Sequence, residues 1–502
     1  MSWIRHHGKG LFVSALIVIF TVFAALALAR YQMFTQYAFL ALLPAAVLIP
    51  FSAWLLRKKR PEHFVFLFVF LLCGLLYLFA VPMLQVSDEP QHYLRSYEIA
   101  SFQSPKSISE NDVGDVMDGN LIPKQFVDFS ATNYAQLSAM LPEQIDKTHP
   151  EAYSFPGSAL YSPFTYVPQA LGIFIAKLFS SHSLIVLYAG RLSNLLVVAI
   201  LAMLCVKLFP FEKRLVMLLL LVPIYVHKAG SMSADGLTLA VVMLFLSYVL
   251  HLQYATNGTL KARQILPLYL LVFFLSQCKI VYLPVCLFFF VLSQERFGSK
   301  KRYFLHLAGL VLLAVGAGVG WLMISSRYLS VGYTESGKQI ASVISDPLGY
   351  VRVLLRTVKE QGKILIEQMM GIGMGVGGVR NSRLLTLSYL VVLVLCAVFT
   401  KRGTCPIRQS RDAFLALICA FCVAMLTFAA LYVQWTTPGN RVIMGLQGRY
   451  FLPVLYLCCI AVLQFSPLEK IRRPLSFEVP LVYAVGVNLV AAVSCLGYGL
   501  SI

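Results

Sequence analysis

The stretch FVFLFVFLLCGLLYLFAVPML (residues 64–84), running straight into QVSDEPQHYLRSYEIA (residues 85–100), decides how the whole chain is read. Its first part carries no charged side chain. As a helix rising 1.5 Å per residue it is long enough to cross a hydrocarbon core of about 30 Å. A helix also satisfies its own backbone N–H and C=O groups, which lipid cannot do. The second part turns abruptly polar, and its acidic residues stand where the chain leaves the membrane.

Working outward, similar runs recur at residues 11–29, 37–56, 184–208, 304–324, 384–400, 413–433, 450–465 and 479–496. Two further regions read as hairpins, 215–226 with 237–252 and 265–275 with 280–292. The expected fold class is therefore all-α, a polytopic transmembrane bundle of about thirteen spans. Composition agrees: of 502 residues, 59% are hydrophobic and 13% charged, too few polar groups to cover a soluble core of that size. The first run follows Arg5, His6, His7 and Lys9, is long for a signal sequence and lacks a small-x-small site before Arg30. It reads as a retained anchor.

The net charge of +19 is spread over loops, with basic clusters at Arg57–Arg60, Lys213 and Arg214, Lys261 and Arg263, Arg296–Arg302, Lys401–Arg411 and Lys470–Arg473. The positive-inside rule puts these loops in the cytoplasm and accounts for the charge without nucleic acid as a partner. The amino terminus is then cytoplasmic, and two long polar loops lie outside. The organisation expected is N-terminal transmembrane helices (1–85), a first outer loop with interfacial helices (86–183), central transmembrane helices (184–324), a second outer loop (325–383) and C-terminal transmembrane helices (384–502). Residues 161–179, with Pro163 and Pro168, read as an interfacial or partly dipping helix on the outer face, because counting them as a span would invert the basic loops that follow. Nine of the eleven cysteines fall in apolar runs, Cys405 in a cytoplasmic loop and Cys278 near a turn, which supplies no disulfide framework. No Walker loop, paired CxxC, HExxH or GxSxG is present, which removes support for ATP drive, zinc proteolysis and serine hydrolysis.

The chemistry-bearing residues begin with Asp88 and Glu89, side by side at the membrane boundary. On the helix that Pro90 opens, Asp88, His92 and Arg95 share a face at i, i+4 and i+7. Asp88 is either an N-cap suited to the helix dipole or a carboxylate free to act as a general base or metal ligand. His92 either assists it or satisfies a local hydrogen bond. Lys279 interrupts a long apolar stretch, Arg191 lies inside the outer end of a helix, and Arg449, followed by Tyr450, stands where another helix enters. Each cation either snorkels to the interface or joins a phosphate-binding cleft. Asp235, in the turn HKAGSMSADG, has an ordinary explanation in the first turn of a helix. In the second outer loop, Leu354, Leu355, Val358, Ile364 and Ile366 mark an amphipathic helix, with Arg352, Arg356, Lys359 and Lys363 able to meet headgroups or to pack over a cleft.

The pieces SDEPQHYLRSYEIA, YSPFTYVPQALG, YAGRLSN, AGSMSADGLT, QCKIVYLP, IGMGVGG and LQGRYFLP, in that order from Ser87 to Pro453, resemble a family of bacterial membrane proteins labelled domain of unknown function 2142. That family in turn looks like a branch of the GT-C glycosyltransferase superfamily. The resemblance implies a GT-C-like bundle in the bacterial cytoplasmic (inner) membrane. It would transfer a sugar from a polyprenyl-phosphate donor to a surface glycan or lipid acceptor on the outer face. It also implies that Asp88, with Glu89 beside it, is the catalytic acid of the first outer loop and that Lys279 lies near the lipid phosphate, with Arg449, Arg191, His92, Arg95 and Tyr450 as further contacts. A divalent cation, Mg or Mn, held by Asp88 and Glu89 is one way to balance the leaving phosphate. The chain departs from better-known members in the proline directly after Glu89 and in the lack of a basic residue before the YSPFTYVP prolines. Two competing readings are a transporter or flippase, for which no half-to-half repeat is visible, and a glycan polymerase or ligase.

Overall fold

A computed structural model gives the fold and describes residues 2–57, 61–109, 112–122, 134, 144–328, 335–375, 378–379, 381–398, 410–464 and 478–501. The basic residues Lys58, Lys59, Arg60, Lys401, Arg402, Arg408, Lys470, Arg472 and Arg473 lie outside them, as do Asp128, Glu143 and Cys405.

Eight helices among the described residues are long and apolar enough to cross a membrane. They are α1 (Ser2–Arg30), the 22-residue span Phe34–Leu55 in which a 3₁₀ turn from Ala38 leads into α2 (Leu43–Arg57), α3 (Glu62–Ala80), α6 (Ser183–Leu208), α9 (Asp235–Tyr254), α11 (Lys300–Ser325), α15 (Ser410–Trp435) and α17 (Glu478–Ser501). The chain is a multi-pass, mainly helical membrane protein. The other apolar runs of the sequence are shorter elements: α10 (Ala262–Gln277), a 3₁₀ segment (Ile280–Val291), α14 (Arg383–Val398) and α16 (Leu452–Gln464). A 16-residue helix such as α10 rises about 24 Å, short of the hydrocarbon thickness.

The run at 215–226 is broken into α7 (Lys213–Leu220) and α8 (Pro223–Ala229). Pro223 lacks an N–H, and the chain cannot continue α7 through it. The carbonyls freed at the break find side-chain donors: the Tyr389 hydroxyl donates to Leu218 O at 2.8 Å and Asn488 Nδ2 to Leu221 O at 2.9 Å. Broken backbone at this depth is tolerated because protein surrounds it. The same holds for α9, 89% buried and apolar on every side, whereas α1 and α11, 22% and 17% buried, turn most of their surface outward.

The segment 86–183, expected to be an outer loop with interfacial helices, also contains a sheet. Helix α4 (Glu89–Ala100) is followed by a three-stranded antiparallel sheet, β1 (Lys106–Ser109), β2 (Asp112–Gly119) and β3 (Asp146–Ser154), in the order β1-β2-β3. β3 contains Pro150, which an edge strand accommodates. The sheet packs on α4 through Tyr93, Tyr97, Val113, Met117 and Phe155. Tyr97 donates to Asp118 at 2.5 Å, and Lys106 pairs with the buried Asp115 at 2.6 Å. This small domain fixes the helix that begins at Asp88.

Residues 163–177 form a 3₁₀ turn and α5 (Val167–Lys177), whose 11 residues span about 16 Å, too short to cross. α5 lies tightly on α6. A Cβ built on Gly172 would fall 2.3 Å from Ala189 O and 2.7 Å from Ser193 Cβ, and only glycine allows that approach. Gly172→Ala is therefore expected to cost about 1–3 kcal/mol by overpacking. Leu171→Ala, at a neighbour 50% exposed, is expected to cost little. Thermal unfolding of both variants in detergent checks this, and equal melting temperatures would contradict the packing.

Candidate functional site

The site assembles around Asp235, the first residue of α9. Its Oδ1 lies 2.8 Å from Lys279 Nζ and its Oδ2 2.5 Å from Arg449 Nε. The three side chains are 8, 15 and 7% exposed, so the cluster is largely removed from water. Arg449 also reaches Asp88, with Nη2 3.6 Å from Oδ2, and Asp88 is 52% exposed. One carboxylate thus faces solvent beside two buried cations, and a second carboxylate holds those cations together.

Local structure explains how each residue arrives. Arg449 sits on a 3₁₀ turn, Gly448–Phe451, that leads into α16. The turn is pressed against α13 (Pro347–Met369), which follows α12 (Glu335–Ser345), so that a Cβ on Gly448 would fall 2.2 Å from Leu365 O, and Gly448 N donates to Gln368 Oε1 at 3.0 Å. Lys279 follows the end of α10, where Gln277 accepts a hydrogen bond from Ser162 at 2.8 Å. That bond and a second, from Trp321 Nε1 to Leu160 O at 2.9 Å, fix Tyr161 between them. Lys279 Nζ lies 4.3 Å from the centre of the Tyr450 ring and 5.5 Å from that of Tyr161, and the Arg449 guanidinium 4.9 Å from Tyr450. Aromatic faces stabilise both cations where water is scarce.

Asp88 precedes α4 with φ +66°, a left-handed conformation uncommon outside glycine, and its side chain makes no capping hydrogen bond. The N-cap reading therefore does not describe it. Ser87 Oγ donates to Gly375 O at 2.9 Å, tying the residue before it to a turn in which Gly371, Gly373 and Gly375 all have positive φ. Residues 371–375 of the glycine-rich piece form a largely buried turn that needs these positive φ angles.

Glu89 and Arg191 occupy a different environment from the cleft that their sequence context suggested. Both are fully buried and paired: Arg191 Nε and Nη2 donate to the two Glu89 oxygens at 2.8 and 2.6 Å. The remaining Arg191 donors go to Leu78 O, Val81 O and Pro82 O at 3.0, 2.9 and 3.1 Å, and Met232 N donates to Glu89 Oε1 at 3.0 Å. The pair therefore splices the loop after α3 to α6 and to the turn before α9. Every Arg191 nitrogen is engaged, leaving none for a phosphate. Glu89, gripped by Arg191, does not converge with Asp88 on a shared cation, and the described residues hold no group of three His, Cys, Asp or Glu fit for a metal.

Arg95 is also buried and pairs with Glu98 on its own helix. Burial, partly offset by Arg95, pushes the Glu98 carboxyl up to about 7. His92 Nδ1 lies 2.8 Å from the Tyr166 hydroxyl. Burial lowers its imidazole to about 4, against the pull of Asp88 and Asp235, so it is neutral at pH 7 and supplies no charge to an anion.

Residues 70–458 match the family described as "Predicted membrane protein (DUF2142)". The chain belongs to this family. The match runs from within α3 to within α16 and takes in Asp88, Asp235, Lys279 and Arg449. No curated protein and no solved structure matches the chain. Within this DUF2142 protein, sequence reasoning singled out Asp88, Lys279 and Arg449, which the fold brings together. It passed over Asp235 as the centre, since an acid in a helix's first turn has an ordinary explanation. The available signal was that both cations lay in apolar surroundings and needed a common counter-charge.

Two outcomes are expected. Glu89→Gln and Arg191→Met each leave an uncompensated buried partner and should each destabilise the protein by about 3–5 kcal/mol. Their thermal unfolding, compared with that of the double variant, checks this, and unchanged melting would contradict the splice. The folded protein resists protonating His92 until about pH 4, whereas the unfolded chain accepts the proton near its usual value. Stability from this group is then complete above about pH 6.5 and is lost as pH falls toward 4. His92→Gln should flatten the fall of melting temperature across that window, and an unaltered slope would contradict the assignment.

Proposed function

We propose that this DUF2142 protein is a membrane glycosyltransferase of GT-C type. It would move a sugar from a polyprenyl-phosphate donor to a cell-surface glycan or lipid acceptor at the outer face of the bacterial inner membrane. The observation that carries the reading is the juxtaposition of a half-exposed carboxylate, Asp88, with two buried cations, Arg449 and Lys279, held by Asp235. Glycosyl transfer needs both features. An acceptor hydroxyl must lose its proton as its oxygen bonds the anomeric carbon, and the departing phosphate oxygen takes the electron pair of the broken C–O bond.

In this mechanism Asp88 takes the acceptor proton from the solvent side. Arg449 and Lys279 offset the charge that grows on the leaving phosphate. Tyr161 and Tyr450 line the approach and hold the cations in place. Attack opposite the leaving group inverts the anomeric centre. His92, neutral and bonded to Tyr166, positions the aromatic wall rather than the anion. The chain's own residues meet the charge of the reaction, and a divalent ion, if used, would be held by Asp88 together with donor oxygens rather than by an Asp88–Glu89 pair. The basic loops, read as cytoplasmic by the positive-inside rule, support an outer-face site.

Asp88→Asn keeps the shape and removes the base. In cells it should abolish transfer of one sugar, with a rate loss of about 10²–10⁴-fold, while the protein still accumulates in the membrane. Mass spectrometry of surface glycans beside a deletion strain reads the outcome. A deletion strain with unchanged glycans would overturn the transferase reading and favour transport. A deletion strain that loses the sugar while Asp88→Asn keeps it would overturn the role of Asp88.

A further inference from the structure

Lys228 lies at the end of α8 and is 1% exposed, yet its Nζ makes no hydrogen bond or ion pair with any described residue. Among the described residues, the other cations buried or nearly so at this end of the bundle have a carboxylate: Arg191 has Glu89, Arg95 has Glu98, and Lys279 and Arg449 share Asp235. The charged groups that act on Lys228 are Arg449, Asp235, Asp88 and Glu89, which places it beside the cluster described above. Its backbone is also tight against α9: a Cβ on Gly236, the residue after Asp235, would fall 3.2 Å from Lys228 O. An unpaired buried ammonium is costly, so a lysine in this position sheds its proton unless a counter-charge arrives to hold it.

The balance of charge points the same way. Glu89 and Arg191 cancel each other, which leaves Lys228, Lys279 and Arg449 against Asp88 and Asp235. Three basic groups face two carboxylates. The first turn of α9, a 20-residue helix, adds the positive end of its dipole at the same place. Each feature alone has a structural explanation, but a lone buried lysine, a basic surplus and a helix start converging on one spot favour an anion.

We propose that Lys228 is an anion-binding residue of the site, the third basic group to engage the phosphate ester of the lipid-linked donor or its lipid phosphate product. The inference rests on the donor class named under the proposed function. Lys279 and Arg449 are already committed in part to Asp235, so Lys228 is the basic side chain with no prior partner. An arriving phosphate stabilises its charged form and supplies the acceptor oxygen it lacks. The residue binds the anion and takes no part in proton transfer from the acceptor.

The test uses the full chain in lipid nanodiscs, with farnesyl phosphate as probe, farnesol as uncharged control and inorganic phosphate to separate a headgroup-only site from a lipid-phosphate site. Binding is read by tryptophan fluorescence, with thermal unfolding recorded without ligand. The unsubstituted protein is expected to bind farnesyl phosphate and not farnesol. Lys228→Met should weaken that binding by about tenfold or more, the loss of one charged hydrogen bond, while Lys228→Arg stays close to the original. A lysine kept only for a ligand also predicts that Lys228→Met melts at the same or a higher temperature than the original without ligand. Equal binding by Lys228→Met overturns this inference alone and leaves the transferase reading standing. A lower ligand-free melting temperature for Lys228→Met marks the lysine as structural and also overturns it. Failure of the unsubstituted protein to bind farnesyl phosphate overturns both, and tighter binding of inorganic phosphate than of farnesyl phosphate overturns the lipid part.

Discussion

One buried carboxylate organises the end of the bundle that carries the site. Asp235 takes a lysine from one element and an arginine from another, far apart in sequence, and holds both within hydrogen-bonding distance. Removing three charges from water carries a heavy desolvation cost, and mutual attraction repays it only where geometry is tight and the remaining donors are satisfied. The surrounding structure meets that condition. Tyr450 and Tyr161 face the cations, the 3₁₀ turn bearing Arg449 is pressed onto α13, and the segment before Lys279 is bonded to the loop that carries Tyr161. Elements from the loop after α3, the central helices, the segment around α13 and the C-terminal helices are drawn to a single point.

Around that point, two kinds of ion pair do different work. The Glu89–Arg191 pair is sealed, with all its nitrogens bound, and joins the loop after α3 to the bundle. The Asp88–Arg449 contact is longer and half open to solvent. Adjacent acids in the sequence therefore have opposite fates: Glu89 turns inward to fix the backbone, and Asp88, in a left-handed conformation, turns outward. That division leaves one carboxylate able to exchange a proton with solvent or with a group arriving from it.

Much of this was legible in the sequence because lipid imposes a simple rule. A run of twenty apolar residues has few alternatives to a helix, and the expected runs correspond to helical elements throughout. Their depth was less legible, since a short apolar run reads alike whether it crosses lipid or is wrapped by protein, as in 215–226. The sheet was missed because β2, reading DVGDVMDG, has too few apolar residues to show a two-residue period, and its buried Asp115 disguises the inward face. Asp88, Lys279 and Arg449 stood out as charges in unusual places. Arg191 stood out equally, and only coordinates reveal that its partner was Glu89. Asp235 was masked by a commonplace explanation, a helix start, that competes with any functional reading of a single sequence, and Lys228 lies in the same polar stretch with nothing to single it out.

The central claim is that Asp235 and Lys279 are energetically joined, and a double-substitution cycle measures that directly. Asp235→Asn, Lys279→Met and the combined variant would be unfolded thermally in the same membrane mimetic. The account predicts that the losses are not additive, with a coupling above about 1 kcal/mol and a double variant less damaged than the sum of the two single ones. Additive losses would mean that the two side chains do not share a buried charge, and the site as described would not exist.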